Sequence, residues 1–231
     1  KTVSRVAGRQ VDEKAAVKQA LSVLVLGHGK LDDPTMSVAA LDDEVLDYVG
    51  LGHPLLADPH WPNKVKEGRL YDIVPCNGCN ECLYAGFSGK HYYCSVNPLC
   101  YAEKDYQLPA PNGEQKSVLV IGGGPGGMQA AITAAQRGFY VELWEKTDKL
   151  GGNLWAAGMP TFKEDVLRLI SYMQTQIDRS NVTVRFMKDA TAEEIIAADF
   201  DKVVLASGSS SLVPPIPGVE NALLSSDILT D

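Results

Sequence analysis

No apolar run in the 231 residues approaches the roughly 18–20 needed to cross a bilayer, so no membrane span is expected. Basic charge is scarce. The 21 Lys and Arg against 29 Asp and Glu leave a net charge of −8, which argues against nucleic acid or an anionic membrane surface as a partner. The N-terminal "KTVSRVAGRQVDEKAAVKQA" is amphipathic and charged, and lacks the apolar core and small-residue cleavage site of a secretory signal. Cysteine is sparse, five in all, yet four fall in one short stretch. An odd, clustered set suits metal ligation in a reducing compartment better than a disulfide framework, and the cytoplasm is the expected location. Internal repeats and low-complexity tracts are absent. What remains is ordinary for a globular chain: 45% hydrophobic and 22% charged residues, enough for one large domain or two modest ones.

Pattern divides the chain into 1–70, 71–101, 102–116 and 117–231. In the first stretch "SVLVLGHGKLDDP" and "VLDYVGLGHPLLADP" read as short apolar strands that each run into a Gly-rich turn. Between them Asp33 or Pro34 is placed to start a helix. Strand, helix, strand makes a βαβ unit and implies a parallel sheet. Residues 71–101 hold the cysteines with little periodicity, and 102–116, "AEKDYQLPAPNGEQK", read as a polar linker. From 117 a second α/β unit begins. "SVLVIG" and "KVVLASG" read as buried strands. A helix ends at Gly138, and Phe162, Val166, Leu169, Ile170 and Met173 share one face of another.

Gly122-x-Gly124-x-x-Gly127 directly follows a strand and opens a helix, the context that a dinucleotide fingerprint requires. The first glycine permits the tight turn and the second lets the backbone approach a pyrophosphate. The third allows close helix packing, which leaves the phosphates at a helix N-terminus. Glu145, followed by Lys146, ends the next strand, where a carboxylate meets ribose hydroxyls. The alternative is a Gly-rich turn that binds nothing. Cys76-x2-Cys79-x2-Cys82 presents three thiols from one loop, and Cys94 follows after eleven intervening residues. Four thiolates can ligate a [4Fe–4S] cube, one per iron. A four-cysteine zinc site is the alternative, although zinc sites usually come as two CxxC pairs. Cys100 has no evident partner. Tyr84, Phe87, Tyr92 and Tyr93 are candidates to shield such a centre from water. Gly29-Lys30 and Gly52-His53 follow the two strands of the first βαβ unit. Backbone N–H groups and a cation at neighbouring strand ends can hold a phosphate, as after strands 7 and 8 of (β/α)8 barrels.

Taken together, "GKLDDP…VGLGHPLLADPHWPNKVKEGR…C-x2-C-x2-C…C-x-VNP" and "VLVIGGGPGGMQAA…LGG…ASG…PPIPGV" resemble the iron–sulfur flavoprotein branch of the old yellow enzyme family. That branch includes 2,4-dienoyl-CoA and enoate reductases and the amine dehydrogenases. The resemblance covers nearly all of residues 15–231. It implies an α/β chain: the C-terminal part of an FMN-binding (β/α)8 barrel, a [4Fe–4S] loop, and an incomplete Rossmann-like domain for FAD, or ADP in its place. NAD(P)H would be the reductant of the complete enzyme. By this resemblance Gly29, Lys30, Gly52 and His53 fall at the FMN phosphate. Gly151, Gly152, Ala206 and Gly208 join Gly122, Gly124, Gly127, Glu145 and Lys146 around the adenine dinucleotide. Family members commonly carry Arg where this chain has Lys30 and His53, and a neutral histidine clamps a phosphate less well. The x2-x2 spacing resembles the amine dehydrogenases, while the eleven-residue gap and "NPLC" lean towards the reductases. The family's catalytic Tyr or His lies on earlier barrel strands, so none is assigned here. The expected partners are a small-molecule substrate and either a second copy or an electron-transfer protein. Only one GxGxxG is present.

Overall fold

The computed structural model describes residues 11–106 and 111–230. The first half of the amphipathic N-terminal stretch falls on residues 1–10, and part of the expected linker on 107–110. Both lie outside the described residues. The chain divides into two compact units, Lys1–Gln107 and Leu108–Asp231.

The first unit contains α1 (Val11–Ala20), β1 (Leu26–His28), α2 (Pro34–Asp42) and β2 (Tyr48–Gly50). The two strands pair in parallel, with Leu26 opposite Tyr48 and His28 opposite Gly50. Asp33 caps α2, accepting from the Thr35 N–H at 2.8 Å and the Met36 N–H at 3.4 Å, and Pro34 occupies the first helical turn. Both features suit a helix start, since proline has no N–H to waste there. Val25, Leu31, Ala40 and Leu46 form the core, flanked by Val11, Met36, Val45, Val49 and Leu51. Lys18 pairs with Asp47, and Asp47 also accepts the Val25 N–H at 2.7 Å, which ties α1 to the start of β1. The strands are shorter than the apolar runs suggest. Val23 and Leu24 precede β1 and are 62% and 69% exposed. Beyond β2 come α3 (His53–Ala57), α4 (Trp61–Lys66), a 3-10 turn at Leu70–Asp72 and α5 (Glu81–Phe87). The cysteine stretch was expected to be irregular, yet α5 carries Cys82. Asn80, at φ 63°, turns the chain into this helix.

The second unit is a four-stranded parallel sheet, β3 (Ser117–Ile121), β4 (Tyr140–Trp144), β5 (Val182–Arg185) and β6 (Lys202–Leu205), in the order β5-β4-β3-β6. Interleaved are α6 (Pro125–Gln136), α7 (Leu154–Gly158), α8 (Glu164–Asp178) and α9 (Ala192–Ala197), with α10 (Ser225–Thr230) last. The helix α6 lies against β3 and β4 and meets α8. Leu119, Val120, Met128, Val141, Leu143, Ile170 and Ile177 are almost wholly buried, each contributing on the order of 1.5–3 kcal/mol. As the sequence implies, Gly138 stands just past α6 with φ 84°, a left-handed position that favours glycine.

Three expectations need correction. Phe162 does not share the buried face of α8. It sits in a 3-10 turn at Thr161–Lys163 and is 55% exposed, because the helix starts only at Glu164. The strand "KVVL" is exposed along its length; β6 is one of the two outer strands of the sheet and has one strand neighbour among the described residues. The segment after the undescribed 107–110 is no free linker. The N–H groups of Asn112 and Gly113 both donate to the Arg137 carbonyl, so it closes the C-terminal end of α6.

The buried Glu142 on β4 is held by four donors. The Arg185 guanidinium reaches its two oxygens at 2.7 and 3.0 Å, Trp144 Nε1 donates at 3.0 Å and the Tyr140 hydroxyl at 2.9 Å. The Arg185 bond, opposed by burial, holds its carboxyl down at about 2. Stability from this group is therefore present above the ordinary glutamate range and lost as pH falls from there towards about 2. Glu142→Gln is expected to lower stability by about 1–3 kcal/mol at neutral pH. It should also flatten the acid limb of a plot of melting temperature against pH, measured by circular dichroism.

Candidate functional site

In the second unit the turn between β3 and α6 runs from Gly122 to Gly124, and Gly127 lies in the first turn of α6. Gly122 has φ 106°, and a Cβ there would stand 2.4 Å from the Ala206 carbonyl oxygen. A Cβ on Gly127 would stand 1.8 Å from the Gly122 oxygen; only hydrogen fits. Gly124 differs: its backbone is extended (φ −70°, ψ 179°) and a Cβ would meet nothing within 4 Å. The three glycines thus divide their work as the fingerprint requires. Gly122 makes the turn, Gly127 lets α6 close on it, and Gly124 leaves the helix N-terminus open to an approaching anion.

Two further loops meet this turn. The Gly151 N–H donates to the Gly123 carbonyl at 2.9 Å, and a Cβ on Gly152 would lie 3.1 Å from Gly124 Cα. The Leu150 carbonyl accepts from Trp155 Nε1 at 2.8 Å and Gln174 Nε2 at 3.1 Å, which fixes that loop. From the other side the Ala206 N–H donates to the Ile121 carbonyl at 2.8 Å, carrying Ala206 and Gly208 past the turn. Gly208 is left-handed (φ 74°) with open space at its Cβ position. Of the residues expected around the dinucleotide, Gly122, Gly124, Gly127, Gly151, Gly152 and Ala206 come together.

Glu145 does more than wait for a ribose. Its Oε2 accepts the Gly123 N–H at 2.6 Å, and its Oε1 accepts the Thr147 N–H and hydroxyl, both at 2.8 Å. Three of roughly four acceptor positions are filled. Burial pushes its pKa up, but the Thr147 and Gly123 N–H bonds outweigh it and the net shift is downward, so it stays ionised at neutral pH. Lys146 is exposed. The parts played by Thr147 and Gln174 were missed, and no motif in the sequence marks them.

In the first unit Gly29 and Lys30 follow β1, and Gly52 and His53 follow β2. The pairing of His28 with Gly50 sets both turns at the same, C-terminal end of the strand pair. Gly29 (φ 107°) and Lys30 (φ 52°) are both left-handed. That conformation is costly for lysine, and such strain marks candidate sites. Gly52 precedes α3 and His53 opens it. Lys14, which sequence reasoning missed, brings a further ammonium to this edge: its Nζ donates to the His28 carbonyl at 2.5 Å.

Cys76, Cys79, Cys82 and Cys94 are all free thiols. Gly78, at φ 67°, tightens the loop and donates its N–H to Cys76 Sγ at 3.5 Å. Cys79 Sγ lies 2.9 Å from the Ser95 hydroxyl. Burial pushes the Cys76 thiol up to about 11, with Cys94, Asp32 and Cys79 adding to it. Burial also raises Cys82, helped by Cys79 and Cys94. Cys76, Cys82 and Cys94 are half-buried and Cys79 is exposed. No three His, Cys, Asp or Glu side chains among the described residues converge closely enough to share one metal ion. A cubane asks for something else, one thiolate on each iron, and this donor set fits it. Cys100 is buried, and burial lifts its thiol to about 11. Tyr84, Phe87, Tyr92 and Tyr93, the candidate shields, are 55%, 89%, 44% and 40% exposed. No helix among the described residues is long and apolar enough to cross a membrane.

A parallel sheet with a glycine turn between β3 and an α6 N-terminus left open has the architecture of a Rossmann-like nucleotide-binding domain. Residues 116–231 match the family described as pyridine nucleotide-disulphide oxidoreductase. An NADH oxidase of Thermoanaerobacter brockii is 37% identical over 206 residues, 88% of this chain and 32% of that protein. The solved structure of a 2-naphthoyl-CoA reductase in complex with 2-naphthoyl-CoA matches with a TM-score of 0.92 at 31% identity, covering 98% of this chain and 35% of that one. Histamine dehydrogenase from Rhizobium sp. 4-9 matches at 0.84 and 30%, over 90% and 31%. The chain belongs to the old-yellow-enzyme-like iron–sulfur flavoprotein family of oxidoreductases, and it spans about a third of the length of the relatives it matches.

Gly127→Ala is expected to abolish soluble expression or flavin binding, since its Cβ has no room. Gly124→Ala should keep the wild-type melting temperature yet lower bound flavin about ten-fold or more, because a methyl group would stand where the pyrophosphate approaches. Calorimetry and flavin fluorescence after extraction separate the two.

Proposed function

We propose that this chain is the electron-transfer part of an iron–sulfur flavoprotein reductase, binding FAD in the second unit, a [4Fe–4S] cluster on the cysteine loop and the phosphate of FMN at the C-terminal end of β1 and β2. The observation that carries the reading is the meeting of three glycine loops, Gly122–Gly127, Gly151–Gly152 and Ala206–Gly208, at the open N-terminus of α6. Gly124 supplies the approach for a diphosphate, Glu145 a fixed carboxylate for ribose, and the loop at Gly151–Gly152 a second wall. Lys146 borders this site. In the first unit Gly29, Lys30, Gly52 and His53 supply backbone donors and, at Lys30, a cation for a phosphate. Cys76, Cys79, Cys82 and Cys94 supply one thiolate per iron. When bound, these cofactors supply hydride exchange with NAD(P)H, single-electron passage through the cluster and hydride delivery from FMN to an activated C=C bond, as in an enoate or 2-enoyl-CoA. The protein fixes their spacing. The similarity to 2-naphthoyl-CoA reductase and to an NADH oxidase supports this direction.

A second reading runs the electrons outward. The x2-x2 cysteine spacing and the likeness to histamine dehydrogenase support an amine dehydrogenase with ADP in place of FAD. Anaerobic spectra with cofactor extraction of the native protein separate the two. FAD, FMN and about four irons per chain, with bleaching by NADH or NADPH, are expected. Bound ADP without NAD(P)H oxidation would overturn the reductase reading, and a colourless protein with one zinc would overturn the cluster.

A further inference from the structure

The residue that organises the cysteine loop lies outside it. Asp58, directly after α3, is buried, with 2% of its side chain exposed, and Lys64 beside it only 15%. Asp58 Oδ2 accepts from Lys64 Nζ at 2.6 Å and from the Val74 N–H at 2.9 Å, while Oδ1 takes the His60 N–H at 3.0 Å. Lys64 Nζ donates a second bond to the Asp72 carbonyl at 2.7 Å. The segment leading to Cys76 is thus held at Asp72 and Val74, and Pro75 between them and the cysteine is buried. The other end of the loop is held to the same helix. Asn97 Nδ2, three residues after Cys94, donates to the Leu56 carbonyl of α3 at 2.9 Å. Asn97 Oδ1 takes the Leu99 N–H at 3.1 Å, and the Asn97 carbonyl takes the Cys100 N–H.

We propose that Asp58, neutralised by Lys64, is a positioning residue that together with Asn97 clamps both arms of the cysteine loop to the C-terminal end of α3; the inference rests on reading the four cysteines as cluster ligands. A carboxylate is needed because three donors converge on it, two of them backbone N–H groups that no amide nitrogen can face. Lys64 is needed because a lone charge buried this deeply is costly.

The test uses the native protein with Asp58→Asn, Lys64→Arg and Asn97→Ala. Asp58→Asn is expected to lose iron to a chelator roughly 10- to 100-fold faster, the range seen when groups supporting metal ligands are removed. The electron paramagnetic resonance signal of the reduced cluster should change shape, with FAD content at the wild-type level. Lys64→Arg keeps the cation and should retain iron; Asn97→Ala should show the same loss in milder form. Wild-type iron retention and an unchanged signal in Asp58→Asn would overturn the clamp. If that variant does not fold, Asn97→Ala decides by the same readouts. An iron-free wild-type protein would sink the cluster reading alone. The clamp is then decided by iodoacetamide: Cys76 labelling should accelerate in Asn97→Ala and Asp58→Asn, and equal rates would overturn it.

Discussion

The second unit depends on a contact that leaves room for a single hydrogen. The carbonyl oxygen of Gly122 and the α-carbon of Gly127 are so close that α6 can dock on β3 only when residue 127 has no side chain. From that approach the rest follows. The helix N-terminus is brought to the end of the strand, the Gly123 N–H is aimed at Glu145, and the Gly123 carbonyl is left to receive the Gly151 N–H. A methyl group at 127 would push the helix out and undo these bonds together.

The two units build their candidate sites differently. In the second, backbone dipoles and one fixed carboxylate form a cradle with little side-chain freedom to lose on binding. In the first, thiols in a tight loop are pinned by a buried ion pair that touches none of them. Buried ion pairs are poor stabilisers, because desolvation cancels much of the attraction. Their value lies in direction: Asp58 accepts from fixed N–H groups, and few other arrangements of the loop satisfy it.

Much of this was legible in the sequence. The fingerprint glycines, Glu145, the cap at Asp33 and the stop at Gly138 are local signals, set by residues within a few positions of one another. The illegible parts are non-local. Nothing near Asp58 announces that it accepts the Val74 N–H, and nothing near Gly151 announces its bond to Gly123. The exposure of β6 depends on its position in the sheet order, which an apolar run cannot report. The short α5 escaped because cysteines at x2 spacing mask a helical pattern. Phe162 was misplaced for the opposite reason, since its spacing fits the apolar stripe while the chain ahead of Glu164 is wound too tightly to continue it.

The outer strand of the second unit has a consequence for handling the protein. Among the described residues β6 has a strand partner on one side only, and Val203 and Leu205 stand out beside it. An edge of this kind is a template for another strand. At high concentration it would recruit whatever extended chain it met first, so the strand that carries Ala206 up to the glycine turn is also a place where the unit is open to self-association.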